Sequence, residues 1–311
     1  MAEDERTESL EEKPYRPTAI PERYPKVLVP ERYPPGKAPL ELFGPVSATV
    51  FASLQEAVNR VAGEVLVDRK VLCVDYVEGV VPEGGEREPD QDVAPSGGSA
   101  VRNLPLRGPD TASARLLQQT FALSDMTLDL LERCPERADT SKVVTATRSL
   151  AGAEVSEVFS IVAKHTGIRR VSGDSDLTAA LAAVADLQAE GFGPDIAVVY
   201  SGDAWRGVLQ GTEETNDAGL LARLERSARA GLFVAPGLKE VGLAIAPCRD
   251  AVRLQVGRNF RLRWLGAVGM AEEFAIEVGF RVIVSDPDAI RVFTKTPSGQ
   301  GTQSRRRASR T

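Results

Sequence analysis

The histidine and cysteine content of the sequence limits the chemistry that the chain can perform. His165 is the single histidine among 311 residues, and it stands at the end of a helical stretch, just before Gly167. A histidine there complements the negative end of the helix dipole, an interpretation we favour over catalysis. The three cysteines are far apart and odd in number, which disfavours a disulfide framework or a four-ligand zinc site: Cys73, Cys134 and Cys248. We predict no catalytic residue and no metal site, and this cysteine usage is typical of a reducing cytoplasm.

Motifs for acyl transfer and nucleotide binding are missing from the sequence. It contains no G-x-S-x-G elbow, no phosphate-binding G-x-x-x-x-G-K-[ST] loop and no G-x-G-x-x-G after a strand. The adjacent carboxylates Glu213–Glu214 and Glu272–Glu273 fit a solvated surface better than an acid/base pair. We therefore expect a protein that is not an enzyme, and we predict no cofactor.

The net charge argues against two classes of partner. Lys and Arg number 38 against 44 Asp and Glu, which gives a net charge of −6 and a pI near 5.2. An acidic chain is not attracted as a whole to nucleic acid or to an anionic membrane surface. The first residues, MAEDERTESLEEK, lack the apolar stretch of a secretory signal, and no apolar run approaches the ~20 residues of a membrane-spanning helix.

Three segments are predicted to be extended. Residues 1–45 contain nine of the 20 prolines and the repeated motif PERYP, which favours an arm that either docks on a neighbouring surface or serves as a linker. Residues 78–100 combine six acids, three prolines and five glycines, which is typical of a long loop. Residues 294–311 form a tail with five basic residues and no acid, for which solvation is favoured over nucleic-acid binding.

The rest of the chain predicts an α+β protein. Apolar spacing predicts helices over 47–66, from Asp139 or Thr140 to Gly167, from a cap at Asp176 to Gly191, from Ser201 or Asp203, and over 220–229. Strands are predicted over 70–77, 196–200, 232–235, 241–246 and 289–293, and a polar loop over 210–219. The clearest signal is an unbroken alternation over 273–284, which predicts a half-buried antiparallel strand of unusual length.

Several segments, in order along the chain, resemble encapsulin shell proteins of the linocin-like branch. LVDRKVLCVDYVEG resembles the end of the N-terminal helix and the first strand of that family. FALSDMTLDLLER and the stretch from Val143 to Gly167, with Glu154 and Glu157, are similar to its spine helix and the segment before it. AEGFGPDIAVVYSGDAW, GLFVAPGL and FAIEVGFRVIVSDPDAI are similar to its later strands. The resemblance covers about residues 48–293.

The resemblance implies an HK97 phage-capsid-like fold, with copies of the chain closing into an icosahedral nanocompartment. The proline-rich arm would occupy 1–45. A peripheral domain would comprise 46–172, with an extended loop at about 78–108, and return at 251–293 after an axial domain at 173–250. The basic tail would be 294–311. The shell would be cytoplasmic and would enclose cargo enzymes that carry a targeting peptide, with no membrane partner and no nucleic acid expected.

The resemblance also implies two functional segments. In encapsulins the loop between axial-domain helices lines the five-fold pore, and the matching position places Glu213, Glu214 and Asp217 in acidic rings that would favour cations. An ordinary solvated loop is an equal alternative. The cargo groove of the family lies beside the N-terminal helix, which nominates Phe51, Leu54 and Val58, although core packing explains them as well. The competing classes are a viral or prophage capsid protein that packages nucleic acid, and an enzyme.

Overall fold

Two five-stranded sheets organise the part of the chain that the computed structural model describes. The described residues are 46–77, 101–104, 114–214, 218–235, 237–239, 241–246 and 251–296, with the side chains of 104 and 212–214 not described. The helices are α1 (Ala48–Val65), α2 (Asp68–Val71), α3 (Asp125–Arg133), α4 (Ser141–Lys164), α5 (Asp176–Ala189), α6 (Gly202–Glu214) and α7 (Ala218–Ser227). The strands are β1 (Cys73–Tyr76), β2 (Arg102–Leu104), β3 (Ala114–Ser124), β4 (Arg169–Gly173), β5 (Ala197–Ser201), β6 (Gly231–Ala235), β7 (Gly242–Ile245), β8 (Val252–Ala267), β9 (Ala271–Val284) and β10 (Ile290–Lys295).

The first sheet has the order β1-β8-β9-β3-β2, and its centre is the long hairpin of β8 and β9. The predicted long antiparallel strand over 273–284 is confirmed, because β9 pairs antiparallel with both β8 and β3. The strand is not half-buried as predicted, since every residue from Phe274 to Phe280 is buried, on both faces of the sheet. One face of β9 carries a row of buried apolar side chains, and α1 and α4 pack on that side: Phe274, Ile276, Val278, Phe280 and Val282. The core of this layer therefore lies between the sheet and the two helices.

The two helices of the first layer begin and end close to the predicted residues. Ser47 caps α1 by accepting a hydrogen bond from the Val50 amide at 3.3 Å. Asp139 accepts a hydrogen bond from the Ser141 amide at 2.9 Å at the start of α4, and His165 directly follows the last residue of α4. The predicted helices over 47–66 and from 139 or 140 to 167 are confirmed.

The second sheet has the order β4-β10-β7-β5-β6, with α5, α6 and α7 beside it. Every residue of β5 is buried, as expected from its continuous apolar run. The predicted cap of α5 is wrong by one residue. Ser175, whose backbone is extended, accepts a hydrogen bond from the Thr178 amide at 3.2 Å, so it is the capping residue and Asp176 is the first residue of the helix.

Three further expectations need correction. Residues 210–219 are not one polar loop, because α6 continues to Glu214 and α7 begins at Ala218. The polar composition of 210–214 hid the end of α6, whose buried face starts with Ala204 and Val208, four residues apart. The strand predicted over 70–77 starts only at Cys73, after the short α2. Residues 251–293 do not stay in one layer, since β10 lies in the second sheet between β4 and β7.

Other predictions concern residues outside the described part of the chain. They include the whole arm of residues 1–45 with its PERYP repeats, most of the loop at 78–108, where only 101–104 are described, and the tail beyond residue 296.

The longest strand, β8, was not predicted from the sequence. Its alternation is interrupted by register shifts near Gly257, Asn259 and Leu265.

Candidate pore, cargo and assembly segments

The predicted pore segment is the connection between α6 and α7. Glu213 and Glu214 are the last two residues of α6, and Asp217 lies just before α7, outside the described residues. The negative end of the α6 dipole lies at this connection, which favours a cation near it. Its role in a pore stays a prediction.

The start of α6 is fixed to the second sheet. The buried Ser201 hydroxyl, at the end of β5, accepts a hydrogen bond from the Ala204 amide at 3.1 Å. The Tyr200 ring lies 5.4 Å from the ring of Trp205 and 5.3 Å from that of Phe293, measured between centroids. The Tyr200 hydroxyl is buried without a hydrogen-bond partner, and burial, with the Asp176 carboxylate adding to it, raises its pKa. The first turn of α6, the helix that ends in Glu213 and Glu214, is therefore attached to β5 by a hydrogen bond and an aromatic contact.

The three residues nominated for cargo contact lie in the core. Leu54 and Val58 are 0% exposed and Phe51 is 8% exposed, on the face of α1 that contacts α4 and β8. The core-packing interpretation accounts for these side chains in the folded subunit. Their contact with cargo remains a prediction, and Phe51 is the member that retains surface.

A buried charged cluster joins α2, α4 and β8, and sequence reasoning did not identify it. Arg69 donates to both carboxylate oxygens of Glu154, at 2.9 and 3.2 Å from Nη2, and to Asn259 Oδ1 at 2.6 Å. Its guanidinium lies 5.4 Å from the ring centroid of Phe260. Arg69 is 8% exposed and Glu154 0%, so this ion pair is desolvated. A glutamate inside the apolar face of a long helix was the signal that could have revealed it.

The cluster supports an irregular part of β8. Phe260 has a φ of +33°, in the left-handed region that a bulky side chain rarely adopts. Gln55 of α1 donates to the Phe260 carbonyl at 2.8 Å and accepts from the Leu262 amide at 2.8 Å. These contacts hold the strained strand against α1.

A second acid in this cluster has no hydrogen-bond partner. Asp68 is 0% exposed, and neither of its carboxylate oxygens has a hydrogen bond of ordinary geometry. Burial raises the pKa of Asp68 well above its ordinary value, the neighbouring Glu154 raises it further, and Arg69 only partly opposes this. Burial also raises the pKa of Glu154 against the opposing effect of Arg69. The site therefore holds two buried acids around one arginine.

A third acid is buried on the opposite face of the first sheet. Glu277 of β9 is 2% exposed, accepts a hydrogen bond from Gln118 at 3.1 Å and forms ion pairs with Arg258 and Arg263. These partners come from β3 and β8, so Glu277 ties three neighbouring strands together.

The described residues contain neither of two further kinds of site. No group of three or more His, Cys, Asp or Glu among them could hold a metal ion. Among the helices of the described ranges, none has the length and apolar content to cross a bilayer.

Comparison with known proteins identifies the fold. Residues 41–280 match the family model Linocin_M18, described as the encapsulating protein for peroxidase. No curated protein sequence matches the chain significantly. The virus-like particle from Pyrococcus furiosus is similar at 16% identity and a TM-score of 0.57, with 78% of this chain and 98% of that chain covered.

Two further solved structures are similar at lower scores. The capsid of cyanophage P-SCSP1u has 12% identity and a TM-score of 0.44, over 75% of this chain and 89% of that one. The holo-SrpI encapsulin complex from Synechococcus elongatus PCC 7942 has 9% identity and a TM-score of 0.41, over 73% and 86%. The fold is the HK97-type, phage-capsid-like α+β fold, as predicted. With more than half of its residues matched by the family model, the chain belongs to the encapsulin family of shell proteins.

Proposed function

We propose that this shell protein closes into a cytoplasmic nanocompartment that encloses cargo enzymes and controls which small molecules or ions pass its pores. The observation that carries the proposal is the match of residues 41–280 to the encapsulating protein for peroxidase. The shell is icosahedral and self-assembling, as in the family. In this proposal the enclosed enzyme supplies the catalysis and any cofactor that it needs. The shell chain itself contributes neither.

The two sheets support a division of the subunit into two functional parts. The first sheet with α1 to α4 would be the peripheral domain, and the second sheet with α5 to α7 the axial domain. In this proposal β4 and β10 would belong to the second part, because both pair within its sheet. Residues 78–108 would be the extended loop that reaches a neighbouring subunit.

Electron microscopy of the purified protein tests the shell directly. We expect closed particles of uniform diameter with icosahedral symmetry. Their absorbance ratio at 260 and 280 nm separates an empty or enzyme-filled shell from a capsid that packages nucleic acid, and we expect the ratio of protein alone. A monomer at high concentration in every buffer tested would contradict the proposal.

The acidic residues at the α6–α7 connection would form the pore lining. On closure around a symmetry axis, Glu213, Glu214 and Asp217 would repeat as rings of carboxylates, which favour cations over anions. The dipole of α6 supports this, because a cation there would relieve the repulsion at its C-terminus.

Cation passage can be measured in assembled shells that hold a dye quenched by Co²⁺. The triple variant Glu213→Gln, Glu214→Gln, Asp217→Asn should slow quenching several-fold. Glu225→Gln removes an exposed acid of α7 and serves as the matched control, with no change expected. Equal quenching rates in the triple variant and the original shell would dismiss the pore role.

The proposed cargo site lies at α1, and its test must separate binding from folding. A co-expressed enzyme that carries the targeting peptide should load poorly into Phe51→Ala shells, because Phe51 keeps surface beside the buried Leu54 and Val58. Val61→Ala removes a buried side chain from the same helix and should leave loading unchanged. Equal loss of loading in both variants would assign Phe51 to core packing alone.

A further inference from the structure

Exposed apolar side chains gather at one end of the first sheet. Among the described residues, seven large apolar side chains are more than a third exposed, and four of the seven surround the turn between β8 and β9: Met126, Leu265, Val268 and Met270. Met270 is 85% exposed and Met126 72%, and they are two of the three methionines in the chain. We name this surface, formed by those four residues, the hairpin tip.

Backbone hydrogen bonds join the two segments that carry these methionines. The turn between the strands is short, since the Val268 amide donates to the Ala271 carbonyl at 2.8 Å. The Asp125 amide, at the start of α3, donates to the Met270 carbonyl at 3.4 Å, so Met126 lies beside the turn. The two most exposed large apolar side chains of the described part of the chain are therefore neighbours, on backbone that hydrogen bonds hold in place.

The exposure of the hairpin tip is unusual for a subunit that stays alone. Single exposed apolar side chains are common in soluble proteins, but a group of them at one place marks a contact surface. Strand β9 itself is buried from Phe274 to Phe280, so this group marks the end of the hairpin and not its length. Methionine is flexible and polarisable, and it packs well against apolar surfaces of varied shape.

Charged residues of both signs border the hairpin tip. On the side of α3, Asp125 and Asp129 are exposed. On the side of the strands, Arg263 is 51% exposed although it also pairs with a buried acid of β9, and the exposed Lys142 donates to a carbonyl near the end of β3 at 3.1 Å. Such a surface can complement another copy of itself, because the acids of one copy can face the basic residues of the next. A partner of a single charge sign would meet repulsion on one of the two sides.

A second copy of the chain is the partner that these observations favour. The chain belongs to a family of self-assembling shell proteins, so each subunit meets other copies in fixed positions. In a closed symmetric assembly every subunit repeats the same contact, and a small apolar surface therefore adds to the stability of the shell many times over.

We propose that the hairpin tip is a contact surface between copies of this chain in the assembled shell, with Met126 and Met270 as its apolar centre and the charged border setting the orientation. The inference rests on the proposed function, because it needs a shell. It assigns part of the assembly energy to a place that is separate from the pore and cargo segments.

Photocrosslinking identifies the partner of the hairpin tip directly. In the full chain with Cys73, Cys134 and Cys248 replaced by Ser, Met270→Cys carries a benzophenone label, and the assembled shells are irradiated. The matched control carries the same label at Arg148→Cys, a position of α4 that is 61% exposed. We expect the label at Met270→Cys to give a covalent dimer of the chain on a denaturing gel, with a yield several-fold above that of the control.

Assembly of substituted chains measures how much the contact contributes. Met126→Gln combined with Met270→Gln keeps side-chain length and net charge but removes apolar surface. The subunit concentration at half assembly, followed by light scattering, should rise several-fold, while the urea midpoint of the subunit should not change because both side chains are exposed. Val268→Thr should act in the same direction, and Val77→Thr, the same exchange at an exposed position just after β1, should have no effect.

Three results would overturn the inference: equal dimer yields from the two labelled positions, a crosslink to a cargo enzyme in place of a second copy, or an unchanged concentration at half assembly in the methionine variant. Particles that form with the label at Arg148→Cys but not with the label at Met270→Cys would support it. Electron microscopy separates its failure from that of the proposed function. Normal particles without a crosslink at Met270→Cys would contradict this inference alone, whereas an original chain that forms no particles would contradict the proposed function.

Discussion

Two buried arginines, Arg69 of α2 and Arg291 of the second sheet, differ in how far their acidic partners are exposed. Arg69 pairs with Glu154, which is fully buried, and the equally buried Asp68 lies beside them. Arg291 of β10 is also fully buried, but its partners Asp186 and Glu190 are 41% and 26% exposed. Arg291 additionally donates to the carbonyls of Asp288 and Ile290, at 2.7 and 2.9 Å.

The difference shows which pair the fold depends on. In the first layer both charges have lost water, so neither can regain it when its partner is removed. In the second layer the two acids are partly exposed, so water can hydrate them when the arginine is removed, and the loss of the pairs should cost less. We expect the stability of the first layer to depend on its charges, and that of the second on close packing around β7 and β10.

Glu154→Gln should cause the largest loss. It leaves the Arg69 charge buried without its main carboxylate, and removal of one partner from a buried pair costs about 3–5 kcal/mol. The free energy of unfolding, measured by urea titration of tryptophan fluorescence at fixed protein concentration, should fall by that amount.

Glu157→Gln on the same helix is the control. It breaks the half-exposed pair with Arg115, which joins α4 to β3 at 3.0 Å, and should cost less than about 1 kcal/mol. Similar losses in the two variants would remove the distinction between buried and exposed pairs in this layer.

The sequence predicted the regular elements where one periodicity ran without interruption. The stripe of α1 and the alternation of β9 needed no tertiary information, because each repeats over a dozen residues or more. Strand β8 escaped prediction because its register shifts break the alternation, and its left-handed Phe260 depends on Gln55, about 200 positions away. Long-range contacts of that kind leave no local signal.

The candidate segments were predicted in position rather than in detail. The resemblance placed Glu213, Glu214 and Asp217 at a helix connection, and the structure puts the first two at the end of α6. It nominated Phe51, Leu54 and Val58, which the fold uses as core. Glu154 within the apolar face of α4 indicated a buried acid, but its partners Arg69 and Asn259 could not be derived from sequence, because they lie on elements that meet α4 only after folding.

Gly242→Ala should cause an intermediate loss and tests the packing side of the comparison. A Cβ at this position of β7 would lie 2.1 Å from Cζ of Phe293, so the aromatic ring or the strand must move. Such overpacking costs typically about 1–3 kcal/mol.

Gly152→Ala in α4 is its control. The added methyl meets no atom within 4 Å there, and alanine is favoured over glycine in a helix by about 1 kcal/mol, so this variant should be slightly more stable. A stable Gly242→Ala subunit in the same urea titration would show that the second layer is not limited by packing.

Arg291→Met should cause a smaller loss of about 1 kcal/mol, because Asp186 and Glu190 stay partly hydrated after the arginine is removed. The cost comes mainly from the two carbonyls that lose their donor. The comparison with Glu154→Gln in urea measures the difference between the two layers directly. A loss as large as that of Glu154→Gln would show that Arg291 is as essential as Arg69.

Asp68→Asn should raise the free energy of unfolding modestly, by an amount that depends on pH, whereas Glu154→Gln, Gly242→Ala and Arg291→Met lower it. An aspartate in an unfolded chain has a pKa of about 3.9, and burial raises the pKa of Asp68 in the folded chain. Between those two values the folded chain keeps a proton that the unfolded chain has released, so its free energy of unfolding falls as pH rises through that window. Asparagine is neutral at every pH and avoids this fall, although Arg69 already offsets part of the burial cost.

The variant and the original chain should therefore have similar urea midpoints near pH 4, and the variant should unfold at higher urea near pH 8. The control is Asp129→Asn, which replaces an exposed aspartate of α3. Its urea midpoint should differ from that of the original chain by the same amount at pH 4 and at pH 8. The same pH-independent difference for Asp68→Asn would mean that Asp68 is ionised at little cost in the folded subunit. The first layer would then hold two ionised acids around Arg69 with no loss of stability as pH rises.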